Sequence, residues 1–94
     1  MTSKQRAYLR SLANRIDTIL QVGKGGINEN LIKQVDDALE AREIIKLHNL
    51  ETSPLSAKEA MNELAAATNS EAVTAVGNRF VLYRESKNNK KIQL

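Results

Sequence analysis

Tyr8, Leu9, Leu12 and Ile16 recur at three- and four-residue spacing, which marks the apolar face of a helix. Thr2 stands ahead of that face as an N-cap, with Gln5 three residues on, as in a capping box. Lys4, Arg6, Arg10 and Arg15 fall mostly off the face. The period then changes. Thr18-Ile19-Leu20-Gln21-Val22 is short, apolar and partly β-branched, which predicts a strand. Gly23-Lys24-Gly25-Gly26 breaks it, and Asn28 caps a second helix. The apolar stripe of that helix is Leu31, Ile32, Val35, Ala38 and Leu39, with Asp36, Asp37 and Glu40 on the other side. From Glu43 to Leu50 the pattern is again that of a strand. Ile45 and Leu47 alternate with Lys46 and His48, as expected when one sheet face is buried and the other solvated.

Glu51-Thr52-Ser53-Pro54 reads as a turn, and Ser56-Ala57-Lys58-Glu59 as a capping box opening a third helix. Ala60, Met61, Leu64, Ala65 and Ala67 can pack that helix closely on a sheet, and it is expected to fray near Thr68-Asn69-Ser70. Glu71 to Val76 and Phe80 to Arg84 are two further strands, joined through Gly77-Asn78 as a hairpin. The order is αβαβαββ. Each β-α-β step implies a parallel right-handed crossover, and the last pair is antiparallel. The predicted fold is a two-layer α+β domain with a small four-stranded mixed sheet over residues 1–86. Residues 87–94 are expected to form a basic, loosely held tail.

With 94 residues the chain makes one small domain, and 41% apolar residues allow one modest core. It has no cysteine, which excludes disulfides, thiolate metal sites and a cysteine nucleophile. No apolar run approaches the length of a membrane span, and the N-terminus has no apolar segment of signal-peptide type. These features predict a soluble cytoplasmic protein with no membrane partner.

The net charge is only +3, but its distribution is uneven. Residues 1–28 carry +4 (five cations against one carboxylate), residues 29–71 carry −5 (four against nine), and residues 72–94 carry +4 (five against one). If the fold gathers both ends of the chain around the glycine loop, a basic face results, suited to orienting a polyanion.

The loop itself is suited to phosphate. Glycine allows close approach to the main chain, the following helix presents unpaired amides and the positive end of its dipole, and Lys24 adds a charge. The spacing is not that of a P-loop, nor of a dinucleotide fingerprint. A Gly-x-x-Gly loop clamps a nucleic-acid backbone in KH domains, where it joins two helices. Here it follows a strand, so the likeness is one of chemistry and not of fold. Other candidates are weak. His48 is a lone histidine with no ligand partner in sequence reach, and Asp36-Asp37-Glu40 reads as a solvated helix face instead of a metal site. No nucleophile elbow is present. No enzyme activity, cofactor, metal or small-molecule substrate is expected. Tyr8, Phe80 and Tyr83 are the only aromatic residues. Tyr8 and Phe80 are assigned to the core, so recognition of phosphate and shape is expected in preference to base stacking.

Four blocks, taken together, carry a resemblance: Thr2 to Arg10, Val22 to Ile27, Asp36 to Lys46, and Val76 to Arg84. They resemble the CRM domain (chloroplast RNA splicing and ribosome maturation) in its stand-alone bacterial, YhbY-like form. The resemblance implies a fold similar to the C-terminal domain of translation initiation factor three. It also implies RNA binding and association with precursors of the large ribosomal subunit. Mapped onto this chain, the implied RNA-binding residues are Gly23, Lys24, Gly25, Gly26 and Asn28, with Lys4, Arg6 and Arg10 of the first helix and Arg79 and Arg84 as additions. A second class of function is a protein-interaction adaptor that would work through the acidic face of the second helix.

Overall fold

The computed structural model describes residues Met1–Leu94. The elements follow in the expected order: α1 (Ser3–Ala13), β1 (Thr18–Val22), α2 (Glu29–Arg42), β2 (Ile44–Asn49), α3 (Ala57–Thr68), β3 (Glu71–Val76) and β4 (Arg79–Tyr83). The sheet order is β1-β2-β4-β3, with β1 parallel to β2 and the other two pairings antiparallel. The α+β class and the mixed four-stranded sheet are as expected.

Local chemistry accounts for most element ends. Capping boxes form at Thr2–Gln5 and Ser56–Glu59, and Asn28 Oδ1 accepts from the Leu31 amide at 2.9 Å. Each such cap contributes about 1 kcal/mol. The third helix does not fray: Asn69 turns left-handed (φ 54°), and the Asn69 and Ser70 amides both return to the Ala65 carbonyl. The hairpin between Val76 and Arg79 uses positive φ at Gly77 alone (59°), which is the type II′ solution and not the Asn-Gly type I′ one.

The helices are not confined to one layer. Residues alternate across β2 and β4: Ile45, Leu47, Phe80 and Leu82 pack with α2 and α3, whereas Ile44, Val81 and Tyr83 pack with Leu9 and Ala13 of α1. The expected two layers are therefore a sheet covered on both faces. The reason is that Phe80 to Tyr83 is apolar at every position, so the central strand β4 needs cover on each side. α1 covers only part of its face. Ile19, Gln21, Val76 and Arg79 remain exposed, and Lys46 and His48 half-buried.

Glu43, expected to begin the second strand, is instead the hinge between α2 and β2. It is wholly buried, with φ 67° and ψ −44°, because a one-residue link must reverse the chain sharply. Its carboxylate also corrects the expectation of a loose tail. Oε2 accepts from the Ser86 amide at 2.8 Å, and Oε1 accepts from the Lys91 and Ile92 amides, the latter at 2.7 Å. Glu40 takes the Ser86 hydroxyl and the Lys87 and Asn88 amides. Ile92 is buried against α1 and the sheet. A polar, lysine-rich stretch is held here by backbone amides, which its side chains do not reveal.

Burial pushes the Glu43 carboxyl up, but the Lys91, Ser86 and Ile92 amides together outweigh it and hold the group below the usual carboxylate range. Glu40 is lowered in the same direction, chiefly by the Ser86 hydroxyl and then by the Lys87 and Asn88 amides. A group depressed in the folded state contributes stability that is fully present above its unfolded pKa, roughly 4.3, and lost as pH falls through the lower folded value. The tail is thus expected to stay docked from neutral pH down to about pH 4 and to release only below it. An acid titration of the Lys91 and Ile92 amide resonances checks this, and release already between about pH 5 and 7 would contradict it.

Candidate nucleic-acid interface

The glycine loop follows β1 at the end of the sheet where β2 finishes and β4 begins. Leu50 N donates to the Val22 carbonyl, and Asn49 links this end together, its amide to Asn78 O and its Nδ2 to Leu55 O. Within the loop, Gly26 N closes a turn onto Gly23 O at 2.9 Å. Of the three glycines only Gly26 is demanded by the backbone, with φ 65° and a position where a Cβ would stand 3.2 Å from Pro54 Cγ. A Cβ on Gly23 would meet only Leu50 Cδ1 at 3.6 Å, and one on Gly25 only Asn28 Nδ2 at 3.8 Å, both ordinary contacts. Neither of these two residues has a positive φ. The fold therefore does not require glycine at 23 or 25. Lys24 and Gly25 are exposed, and the amides of Lys24, Gly25 and Ile27 donate to no protein acceptor. The Asn28 side chain is engaged as the α2 cap, so its contribution is to hold the helix start and not to reach outward.

The expected cationic rim is brought together only in part. Arg79 pairs in register with His48, and His48 with Gln21 of β1, which places it about 10 Å from the loop end across one intervening strand. Arg79 and Arg10 line one concavity with Ala13, Asn14, Thr74, Val76, Val81 and Lys46 on the uncovered part of the α1 face. Lys46 donates to the Ala13 carbonyl at 3.2 Å, leaving two of its three donors. None of these three cations has an ion-pair partner.

The remaining assignments are displaced. Arg6 is tied to the Ala72 and Val73 carbonyls, at 3.1 Å for the second, near the start of β3 and hence at the end of the sheet opposite the loop. Lys4 lies farther along the same helix, in a shallow site with Tyr8, Gln93 and Leu94. Arg84 reaches Asp36 at 2.6 Å and the Thr68 carbonyl at 2.8 Å, clamping α2 to the end of α3. Arg6 and Arg84 are each drawn to acceptors that the sequence order does not announce. Tyr8, assigned to the core, is 47% exposed, whereas Phe80 is buried. On α2, Asp36 holds Arg84, Asp37 holds Lys33 at 3.4 Å, and Glu40 holds the tail, so the acidic face is engaged within the chain. No helix is long and apolar enough to cross a membrane.

A family model described as "CRS1 / YhbY (CRM) domain" matches residues 1–84. The chain belongs to the CRS1/YhbY (CRM) domain family. Its similarity to a Bacillus subtilis protein named "Probable RNA-binding protein YqeI" is 46% identity, over all of this chain and 98% of that one. A Haemophilus influenzae protein named "RNA-binding protein" is 28% identical over all of this chain and 94% of its own length. The solution structure of the Staphylococcus aureus protein SAV1595 superposes with a TM-score of 0.83 at 56% identity, covering 100% of this chain and 98% of that one.

In this CRM domain, sequence reading did not place Lys46 beside Arg10 and Arg79, where the fold puts it. Its alternation with Ile45 and Leu47 did mark it as pointing away from the main core. What it faces is decided by the end of α1, whose Ala13 carbonyl accepts from its Nζ and leaves the side chain half-buried.

Proposed function

We propose that this CRM domain is a non-enzymatic RNA-binding protein whose glycine loop docks on an RNA backbone. The free amides of the loop and the start of α2 receive a phosphate, and Lys24 neutralises its neighbour. Arg79, Arg10 and Lys46 take phosphates further along the strand, across the open part of the sheet. The observation that carries this reading is that Gly23 and Gly25 are glycine where the fold has room for a side chain. Close approach of another backbone supplies the missing reason. The names of the relatives support the same ligand, and the family resemblance points to ribosomal RNA on precursors of the large subunit. The internal engagement of Asp36, Asp37 and Glu40 favours RNA over an adaptor role for α2.

Lys24→Ala is expected to weaken binding across many single-stranded RNA sequences and to flatten the slope of log K against log salt by about 0.7. Titrations at several salt concentrations measure it, and an unchanged slope removes Lys24 from the site. For the ribosomal assignment, crosslinking followed by sequencing of the attached RNA should recover large-subunit ribosomal RNA. Recovery of unrelated messenger RNA alone would refute that part.

A further inference from the structure

At the other end of the sheet, near the starts of β1 and β2, a second concavity of about 430 Å³ is lined by Arg15, Asp17, Arg42, Ile44, Lys46 and Lys91 among others. Four cations face one carboxylate there, and Asp17 forms an ion pair with none of them. Like charges gathered in one hollow repel one another, and a bound anion relieves that repulsion. By contrast Lys90, the neighbour of Lys91 in the chain, is paired with Glu85 at 2.7 Å. The two hollows lie on either side of the α1 C-terminus and share Lys46.

Lys91 comes from the C-terminal segment, beyond the residues matched to the family. Its position is not left to chance: the Lys91 and Ile92 amides are hydrogen-bonded to Glu43, and Ile92 is buried. The negative charge of Glu43 lies beneath the tail, held by three backbone donors, and counted together with Asp17 it still leaves the four cations in excess by two.

We propose that the docked tail completes a second phosphate-binding hollow, formed by Lys91, Arg15, Arg42 and Lys46, for the same RNA strand that the glycine loop engages. The inference rests on the RNA-binding reading above. From the level of His48 to that of Ile44 along β2 is about 13 Å, longer than the Debye length of about 8 Å at physiological salt. Arg79 in the first hollow and Arg15 and Lys91 in the second therefore add to the salt dependence as separate contacts, with Lys46 shared between them.

The test is the salt slope for a single-stranded RNA long enough to cross the sheet. Lys91→Ala and Arg15→Ala remove exposed side chains with no intramolecular partner and leave the tail amides in place. Each is expected to flatten the slope by about 0.7, and together by about 1.4. Lys58→Ala, on the opposite face in α3, is expected to leave it unchanged. If Lys24→Ala flattens the slope but Lys91→Ala and Arg15→Ala do not, the second hollow is overturned and the glycine-loop reading stands. If the unmodified protein fails to bind the RNA at all, the RNA-binding reading itself falls, and this inference with it.

Discussion

Glu43→Ala is expected to lower the melting temperature by roughly 10–20 °C, the largest effect of any single surface-distant substitution outside the apolar core. Three backbone amides, those of Ser86, Lys91 and Ile92, converge on this one buried carboxylate. A buried donor left without an acceptor costs about 1–3 kcal/mol. Three such donors would cost more than the tail gains by docking, so the tail is expected to lift away and hydrate. That caps the loss near the docking energy of the tail, which includes the burial of Ile92, for a total of about 3 kcal/mol. The same residue sits at φ 67°, so Glu43→Gly is expected to melt higher than Glu43→Ala by about 1 kcal/mol, the left-handed penalty that alanine retains. A chain ending at Ser86 provides the control. In that background Glu43→Ala should cost much less, because two of the three donors have gone. Equal costs in the full and shortened chains would show that the carboxylate does not act through the tail.

The second large effect separates two neighbouring glycines. Gly25→Val is expected to reduce RNA affinity at least about tenfold, or 1.4 kcal/mol, while changing the melting temperature by no more than roughly 4 °C. Its Cβ has ordinary space beside Asn28, and the backbone there is one that any residue adopts. The bulk would instead stand where the RNA backbone must approach. Gly25→Ala serves as a companion variant, expected to be neutral or stabilising by about 0.4–1 kcal/mol through the unfolded chain. Gly26→Val should behave in the opposite sense. A β-branched residue at φ 65°, with its Cβ 3.2 Å from Pro54 Cγ, is strained whatever is bound, and the expected loss is about 2 kcal/mol or more of stability. Paired thermal melts and RNA titrations decide the matter. If Gly25→Val melts as low as Gly26→Val and keeps its affinity, the glycine serves the turn and not the ligand.

Much of the fold was legible because much of it is local. The capping boxes at Thr2–Gln5 and Ser56–Glu59 act over three residues, and the apolar stripes of α1, α2 and α3 need only the helical period. β1 spans Thr18–Val22, as its apolar, β-branched run indicated. The Gly77-Asn78 hairpin followed from two residues between two strand-like runs, although which of the two takes positive φ did not. The site was legible to a lesser extent. The glycine loop stands out in sequence, and Arg79 lies within two strands of its end. Arg6 and Arg84 looked like available cations, yet their partners lie 66 and 48 residues away. No local pattern distinguishes a free arginine from one that clamps two elements together.

The sequence by itself determined the element order, the mixed sheet, the cap chemistry and a glycine-lysine loop at the head of a helix. The caps, the helices and the loop depend on interactions between residues a few positions apart, and the mixed sheet follows from the order of the elements through the crossover and hairpin rules. Tertiary structure alone decided which glycine the backbone requires, because that depends on Pro54, on the far side of β2 in the chain. It also decided that α1 covers the face opposite α2 and α3, leaving Lys46 half-buried beside Arg10 and Arg79. And it turned a polar tail into a docked one, since the anchor is a buried carboxylate 43 to 49 residues upstream that binds main-chain amides. Amides are the same at every position, so no side-chain pattern could have announced that contact.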